Sequence, residues 1–145
     1  MFFLRLKNCI RTIVAMGIFF SVLFCVACLR CIRFSDIEGE RTLYLYSPSS
    51  QAVMKGDIAP LDLFFVKGES VSFSCEDRES VLENVLQAYG GEILFEEGAG
   101  DSHSYYCFTK KWTDGVILNG QFVNLHIAFN GECCTIGVPM IFGGF

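Results

Sequence analysis

The 145-residue sequence predicts an α+β protein: an N-terminal transmembrane helix, then one small domain of mostly antiparallel sheet with one amphipathic helix packed on it. Three observations carry that expectation. An uncharged apolar run lies near the N-terminus, one stretch around residue 83 has helical periodicity, and apolar and polar residues alternate on either side of that stretch.

The charges divide the chain in two. Residues 1–35 hold five basic side chains, Arg5, Lys7, Arg11, Arg30 and Arg33, and no acidic one. All sixteen carboxylates lie between Asp36 and Glu132, where six basic residues accompany them, a net charge of −10. Thr12 to Leu29 carries no charge, and only Thr12, Gly17 and Ser21 interrupt its apolar side chains. At a rise of about 1.5 Å per residue this run covers roughly 27 Å, close to the hydrocarbon thickness of a bilayer. In hydrocarbon the backbone must satisfy its own hydrogen bonds, which a helix does. Arg5, Lys7 and Arg11 against Arg30 and Arg33 favour a cytoplasmic N-terminus.

Residues 1–33 are therefore read as a signal anchor with its transmembrane helix at 12–29, residues 34–41 as a charged linker, and 42–145 as an extracytoplasmic α+β domain. The expected location is the cell membrane, single-pass. Cys25-Val26-Ala27 puts small residues where a signal peptidase reads, and cleavage after Ala27 would release a secreted domain. The length of the apolar run and the Arg30 that follows it favour a retained anchor.

Within the domain, Thr42–Tyr46 reads as a strand ended by the turn Ser47-Pro48-Ser49-Ser50. Leu61–Lys67 and Ser70–Cys75 read as two strands parted by Gly68, with Val71, Phe73 and Cys75 alternating with Ser70, Ser72 and Ser74. Glu76–Tyr89 switches to helical spacing, and Val81, Leu82, Val85, Leu86 and Tyr89 form its apolar stripe. Glu76, Asp77 and Glu79 complement its positive end, and Gly90-Gly91 supplies a left-handed stop. The strands flanking the helix are candidates for a parallel pair through a right-handed crossover.

Strands follow at Glu92–Glu97 and Tyr105–Thr109. Val123, Leu125, Ile127 and Phe129 then alternate with Asn124, His126 and Ala128. Asn130-Gly131 reads as a two-residue hairpin loop, which would set Phe129 opposite Glu132, Ile127 opposite Cys134 and Leu125 opposite Ile136. One face is then apolar, and the other carries Asn124, His126, Ala128, Cys133 and Thr135, with His126 at the surface. Asn119-Gly120 closes a preceding hairpin by the same logic.

Three segments resemble the YwmB family of exported proteins from endospore-forming bacteria: Ser104-Tyr105-Tyr106, Val123-Asn124-Leu125-His126-Ile127-Ala128, and Ile136-Gly137-Val138-Pro139-Met140-Ile141. The likeness covers roughly the last 75 residues. It implies a fold like that of TATA-box-binding protein and no established activity. Val138 stands where the family usually has threonine, and the exported region is shorter than is usual. Fold likeness does not transfer DNA binding, and a net charge of −10 repels a phosphate backbone, so no nucleic-acid partner is expected.

Candidate chemistry is sparse. Cys75 and Cys134 alternate into the core and are the pair a disulfide would join outside the cytoplasm; burial as small hydrophobes accounts for them equally. His103, His126 and Cys133 lack the paired spacing of a zinc motif, and Gly98-Ala99-Gly100 lacks the lysine of a phosphate loop. No catalytic residue, metal or cofactor is assigned. Trp112, beside a turn, and the apolar C-terminus with Phe142 and Phe145 are candidate partner anchors, with packing on a sheet edge the competing account for Trp112. The expected function is a membrane-anchored, extracytoplasmic, non-catalytic domain that binds a protein or envelope component. The alternative is an exported thiol, redox or hydrolytic enzyme using Cys107, Cys133 or His126.

Overall fold

The computed structural model describes residues 2–31, 33–46, 53–55, 59 and 61–142. The chain divides into two compact units, residues 1–32 and 33–145. The first is a single helix, α1 (Phe2–Cys31), in which Lys7–Val26 is long and apolar enough to cross a membrane, with a mean hydropathy of 2.3 and none of it buried. Helix extends past the apolar run at both ends, because Arg5, Lys7 and Arg30 are good helix formers. One polar residue inside it, Thr12, donates its hydroxyl to the Asn8 carbonyl at 3.0 Å and so leaves no donor bare.

The second unit is the α+β domain. Its strands are β1 (Glu40–Leu45), β2 (Val53–Lys55), β3 (Val66–Ser74), β4 (Gly91–Ala99), β5 (Ser102–Thr109), β6 (Val116–Leu118), β7 (Gln121–Val123), β8 (Leu125–Asn130) and β9 (Cys133–Val138), with helix α2 (Arg78–Tyr89) between β3 and β4. Seven strands form one sheet in the order β2-β1-β3-β9-β8-β5-β4, every neighbouring pair antiparallel, and β6-β7 is a separate hairpin. Along that order β3 and β4 run in the same direction, as a crossover through α2 requires, but β9, β8 and β5 lie between them. They are therefore not a parallel pair.

Helix α2 follows its local signals closely. Asp77 is the N-cap, its carboxylate accepting from the Glu79 and Ser80 N–H groups and the Ser80 hydroxyl, which holds its pKa below the usual carboxylate value. Gly90 ends the helix in the left-handed region at φ 60°. Tertiary contacts clamp both ends: Arg78 donates to the Gly131 carbonyl at 2.6 Å, and Lys111 donates to the Ala88 carbonyl at 3.1 Å. Val85 and Tyr89 are buried with Val71, Cys75, Cys107, Leu125, Ile127, Phe129, Cys134, Ile136 and Val138, so the helix covers one sheet face.

Long-range packing changes several local expectations. β3 is one continuous strand running through Gly68, preceded by a 3₁₀ turn at Asp62–Phe65 where a strand was expected. A Cβ at Gly68 would lie 2.6 Å from the Val138 carbonyl oxygen, so this glycine permits close approach of the end of β9 and does not break the strand. The β8–β9 loop is Gly131-Glu132, with Asn130 opposite Cys133 and Phe129 opposite Cys134. Only Gly131 has positive φ there (59°), the pattern of a loop with glycine in its first central position. The register thus slides by two residues, which leaves each side chain on its expected face. At β6–β7 both Asn119 (φ 50°) and Gly120 (φ 76°) are left-handed, as that dipeptide predicts.

The domain begins at Arg33. Within 34–41, expected as a linker, Phe34 is fully buried, and Ile37 packs beside it. The Phe34 ring meets Tyr89 edge-on at 5.7 Å and Trp112 at 5.8 Å. The face expected to be polar and exposed is also buried over its centre, with Asn124, His126, Ala128 and Thr135 all under 6 % exposed. Its cover includes the segment after β9. Ile141 is buried and packs so closely over Gly137 that a Cβ there would lie 2.7 Å from its side chain. Tyr44 is buried beside Ser70 with its hydroxyl 2.9 Å from the serine oxygen.

Gly68→Ala tests the close approach. Overpacking against a backbone carbonyl should cost about 2 kcal/mol, read as a lowered urea midpoint in detergent, while Gly17→Ala, with open space around it, should leave the midpoint unchanged.

Candidate functional site

The chemically capable side chains are best followed across the sheet. On the face away from α2, one row of paired positions runs Phe95, Tyr106, His126, Gly137, Ser70 through β4, β5, β8, β9 and β3. Phe95 and Tyr106 stack at 4.5 Å and 18°, and Tyr106 and His126 stack at 4.5 Å and 11°. The Ile141 N–H donates to His126 Nδ1 at 3.4 Å, so the ring holds down the segment that covers Gly137. Burial pushes the imidazole pKa from 6.5 down to about 4, because the cation has lost its water. His126 is a neutral packing element of this row.

Asn124 does comparable work two residues earlier. Its carboxamide accepts from the Thr109 N–H and donates to the carbonyls of Thr109 and Trp112, each at 2.7 Å. Thr109 in turn donates its hydroxyl to the Tyr89 carbonyl. One buried amide thereby ties the end of β5 to the loop after it and to the end of α2.

The thiols occupy separate environments. Cys107 and Cys134 are fully buried, and burial pushes the Cys107 thiol up to about 12 and the Cys134 thiol upward as well. Cys75 is buried on the same face as Cys134 and offset by one pair, since Phe73 opposes Cys134 and the Cys75 N–H bonds the Glu132 carbonyl at 2.7 Å. Both are free thiols in the structure. Cys133 is exposed on the opposite face. It pairs with Asn130, which puts it two same-face rows from His126, while His103 pairs with Phe129 on the α2 face. These three residues do not converge, and among the described residues no group of His, Cys, Asp and Glu gathers to hold a metal.

Of the candidate anchors, Trp112 lies against Tyr89 at 5.2 Å and Phe34, partly buried with the core. Phe142 packs edge-on against Tyr44 at 5.2 Å with the Lys67 ammonium 4.6 Å from its ring centre. Phe145 lies outside the described residues.

One charged group escaped the sequence reading. Glu69 is 2 % exposed, accepts from the Arg33 N–H at 3.0 Å, and lies 3.8 Å from the Arg41 guanidinium. Desolvation raises its pKa, and the Arg33 hydrogen bond with the charges of Arg41 and Arg33 offsets part of that rise. Its signal was phase, because Glu69 alternates in step with the inward Val71, Phe73 and Cys75.

Three surface features remain. An open cleft of about 520 Å³ lies between the end of α2 and the starts and ends of β4 and β5, lined by Tyr89, Gly90, Glu92, Phe108, Lys110 and Lys111 among others. β4 is a nine-residue edge strand, paired only to β5 among the described residues, bulged at Ile93–Phe95 and bearing Glu92, Glu96 and Glu97. The β6–β7 hairpin holds Ile117 and Phe122 opposite each other and exposed. Comparison with protein families, with curated proteins and with solved structures finds no match to this chain.

The buried histidine generates a pH prediction. Its folded pKa lies below its unfolded one, so the unfolded state takes up the proton first. Stability is intact above pH 6.5 and falls as the pH drops towards 4. Between pH 7 and pH 4 the native protein should lose about 3 kcal/mol more than His126→Phe, measured by urea denaturation across that range. Equal losses would remove the buried neutral imidazole from the account.

Proposed function

We propose that the chain is a single-pass membrane protein whose domain stands outside the cytoplasm and works as a binding module, not a catalyst. The observation that carries the tether is the helix at Lys7–Val26, with a mean hydropathy of 2.3 and none of its span buried. Arg5, Lys7 and Arg11 before the uncharged run Thr12–Leu29, against Arg30 and Arg33 after it, support a cytoplasmic N-terminus. Kinship with the YwmB family is proposed on the quoted segments alone.

Against the enzyme alternative stands the use made of two of its three candidate residues, Cys133 being exposed. Cys107 is buried with a thiol pushed up to about 12, and His126 is stacked and neutral. A nucleophile needs the opposite, an accessible thiolate with a depressed pKa. The surface best suited to binding is the outer edge of β4, where unpaired backbone groups can take a further strand. Glu92, Glu96 and Glu97 along it select an extended basic segment of an envelope protein.

Two experiments check this reading. Intact cells treated with a membrane-impermeant maleimide should label Cys133 directly, and Cys75, Cys107 and Cys134 only after denaturation. Labelling that requires permeabilisation overturns the topology, rapid labelling of folded Cys107 revives the enzyme, and a joint gain at Cys75 and Cys134 after reduction identifies a disulfide. A photo-crosslinking residue at Glu96 should give a discrete adduct in cells, and the same probe at the exposed helix position Glu83 should not. Equal patterns at both sites would dismiss the β4 edge.

A further inference from the structure

We infer that the β4 edge reads an arginine: a strand added there lays its guanidinium flat on Phe95, between the carboxylates of Glu92 and Glu97. This rests on the β4-edge binding proposed above and names the side chain that edge selects. The first observation is the ring column. Phe95 pairs with Tyr106 and Tyr106 with His126, and the rings stack at 4.5 Å and 18°, then at 4.5 Å and 11°. Neighbouring strands lie about 4.8 Å apart, so each ring stands upright on the sheet and stacks across to the next strand. The column starts at a buried imidazole and ends at half-buried Phe95, beyond which no strand lies among the described residues. A strand added to β4 continues the same spacing, and its residue opposite Phe95 reaches the outer face of that ring.

The second observation is how the bulge sorts the carboxylates. Glu92 pairs with Phe108, Phe95 with Tyr106 and Glu97 with Ser104, so all three stand on the face away from α2. Glu92 and Phe95 are three residues apart and would fall on opposite faces of a regular strand. The irregularity between Ile93 and Phe95 takes up the extra residue and brings them to one side. Glu96, by contrast, pairs with Tyr105 on the α2 face and bonds His103 at 3.2 Å. The Glu97 carboxylate is positioned by the column itself, accepting from the Tyr106 hydroxyl at 3.2 Å. A flat apolar ring thus sits between two exposed carboxylates, at a sheet edge open to a further strand.

Arginine is the side chain that answers both features. Its guanidinium is planar, permanently charged and weakly hydrated, so it stacks on a ring face while its edges donate to carboxylates. A lysine ammonium is compact and strongly hydrated, and an aromatic ring would stack but leave Glu92 and Glu97 without a partner charge. A second copy of β4 is disfavoured, because it would set one acidic edge against another. The net charge of −10 from residue 34 onward draws a basic strand to the domain in the same sense.

The test uses the full chain in uncharged detergent micelles and end-blocked peptides Ser-Lys-Thr-Arg-Thr-Lys-Ser carrying a neutral fluorophore, the central residue being Arg, Lys or citrulline. By fluorescence anisotropy the Arg peptide should bind several-fold more tightly than the other two. Phe95→Leu should erase its advantage over the Lys peptide, and Glu97→Gln should weaken it several-fold; Glu83→Gln, at an exposed helix position, should do neither. The thermal midpoint of each variant checks its fold, and if Phe95→Leu unfolds, the peptide series and Glu97→Gln decide. An Arg preference that neither Phe95→Leu nor Glu97→Gln changes overturns the proposal. Three peptides that bind equally overturn the arginine site and leave the β4 edge as a general reader of basic strands. No binding by any of them overturns both, and Glu92, Glu96 and Glu97 then guard the edge against pairing.

Discussion

β8 and β9 are buried on both faces, and that constraint organises the rest of the domain. Leu125 to Phe129 and Cys134 to Val138 are each buried without a break. A strand pair in the middle of a seven-stranded sheet cannot leave one side to water when its consecutive residues are all covered. On one side the cover is α2 with Phe34. On the other it includes Ile141, folded back over Gly137 and bonded to His126. Gly137 is where that cover comes close to the sheet and Gly68 is where the end of β9 comes close to β3, and neither has room for a methyl group.

The same constraint explains which parts of the fold could be read in advance. Helix α2 and the Asn119-Gly120 hairpin depend on residues close in sequence, a cap, a stripe and a pair that tolerates positive φ, and both formed as expected. The alternation in β8 located its inward face but misjudged the other one. Asn124, His126 and Thr135 look like solvent-facing residues until their partners are known, and those partners lie on other strands and in the following loop. Phe34 was missed for a related reason. Its flanking charges, Arg33, Asp36 and Glu38, resemble a linker, yet the ring fills a space built by Tyr89 and Trp112 far along the chain.

Site residues divide along the same line. The sequence could place Cys75 and Cys134 inward by phase, while Cys107, read as a candidate reactive thiol, is buried with them, and burial accounts for the raised pKa of all three. It could not show that His103 lies on the other face from His126 and Cys133, because strand phase is defined only once the register between strands is known. Glu69 had the right phase to be recognised as buried. What phase could not supply was its compensation, a hydrogen bond from the Arg33 backbone and the nearby Arg41 charge, without which a carboxylate would not remain there.

Docking Phe34 also changes where the domain starts. A free linker over 34–41 would add up to about 27 Å of extended chain between anchor and domain. With Arg33 bonded to Glu69 and Asp114 and Phe34 buried, that segment belongs to the folded domain. Burying the ring contributes about 2 kcal/mol, which holds this segment against the core.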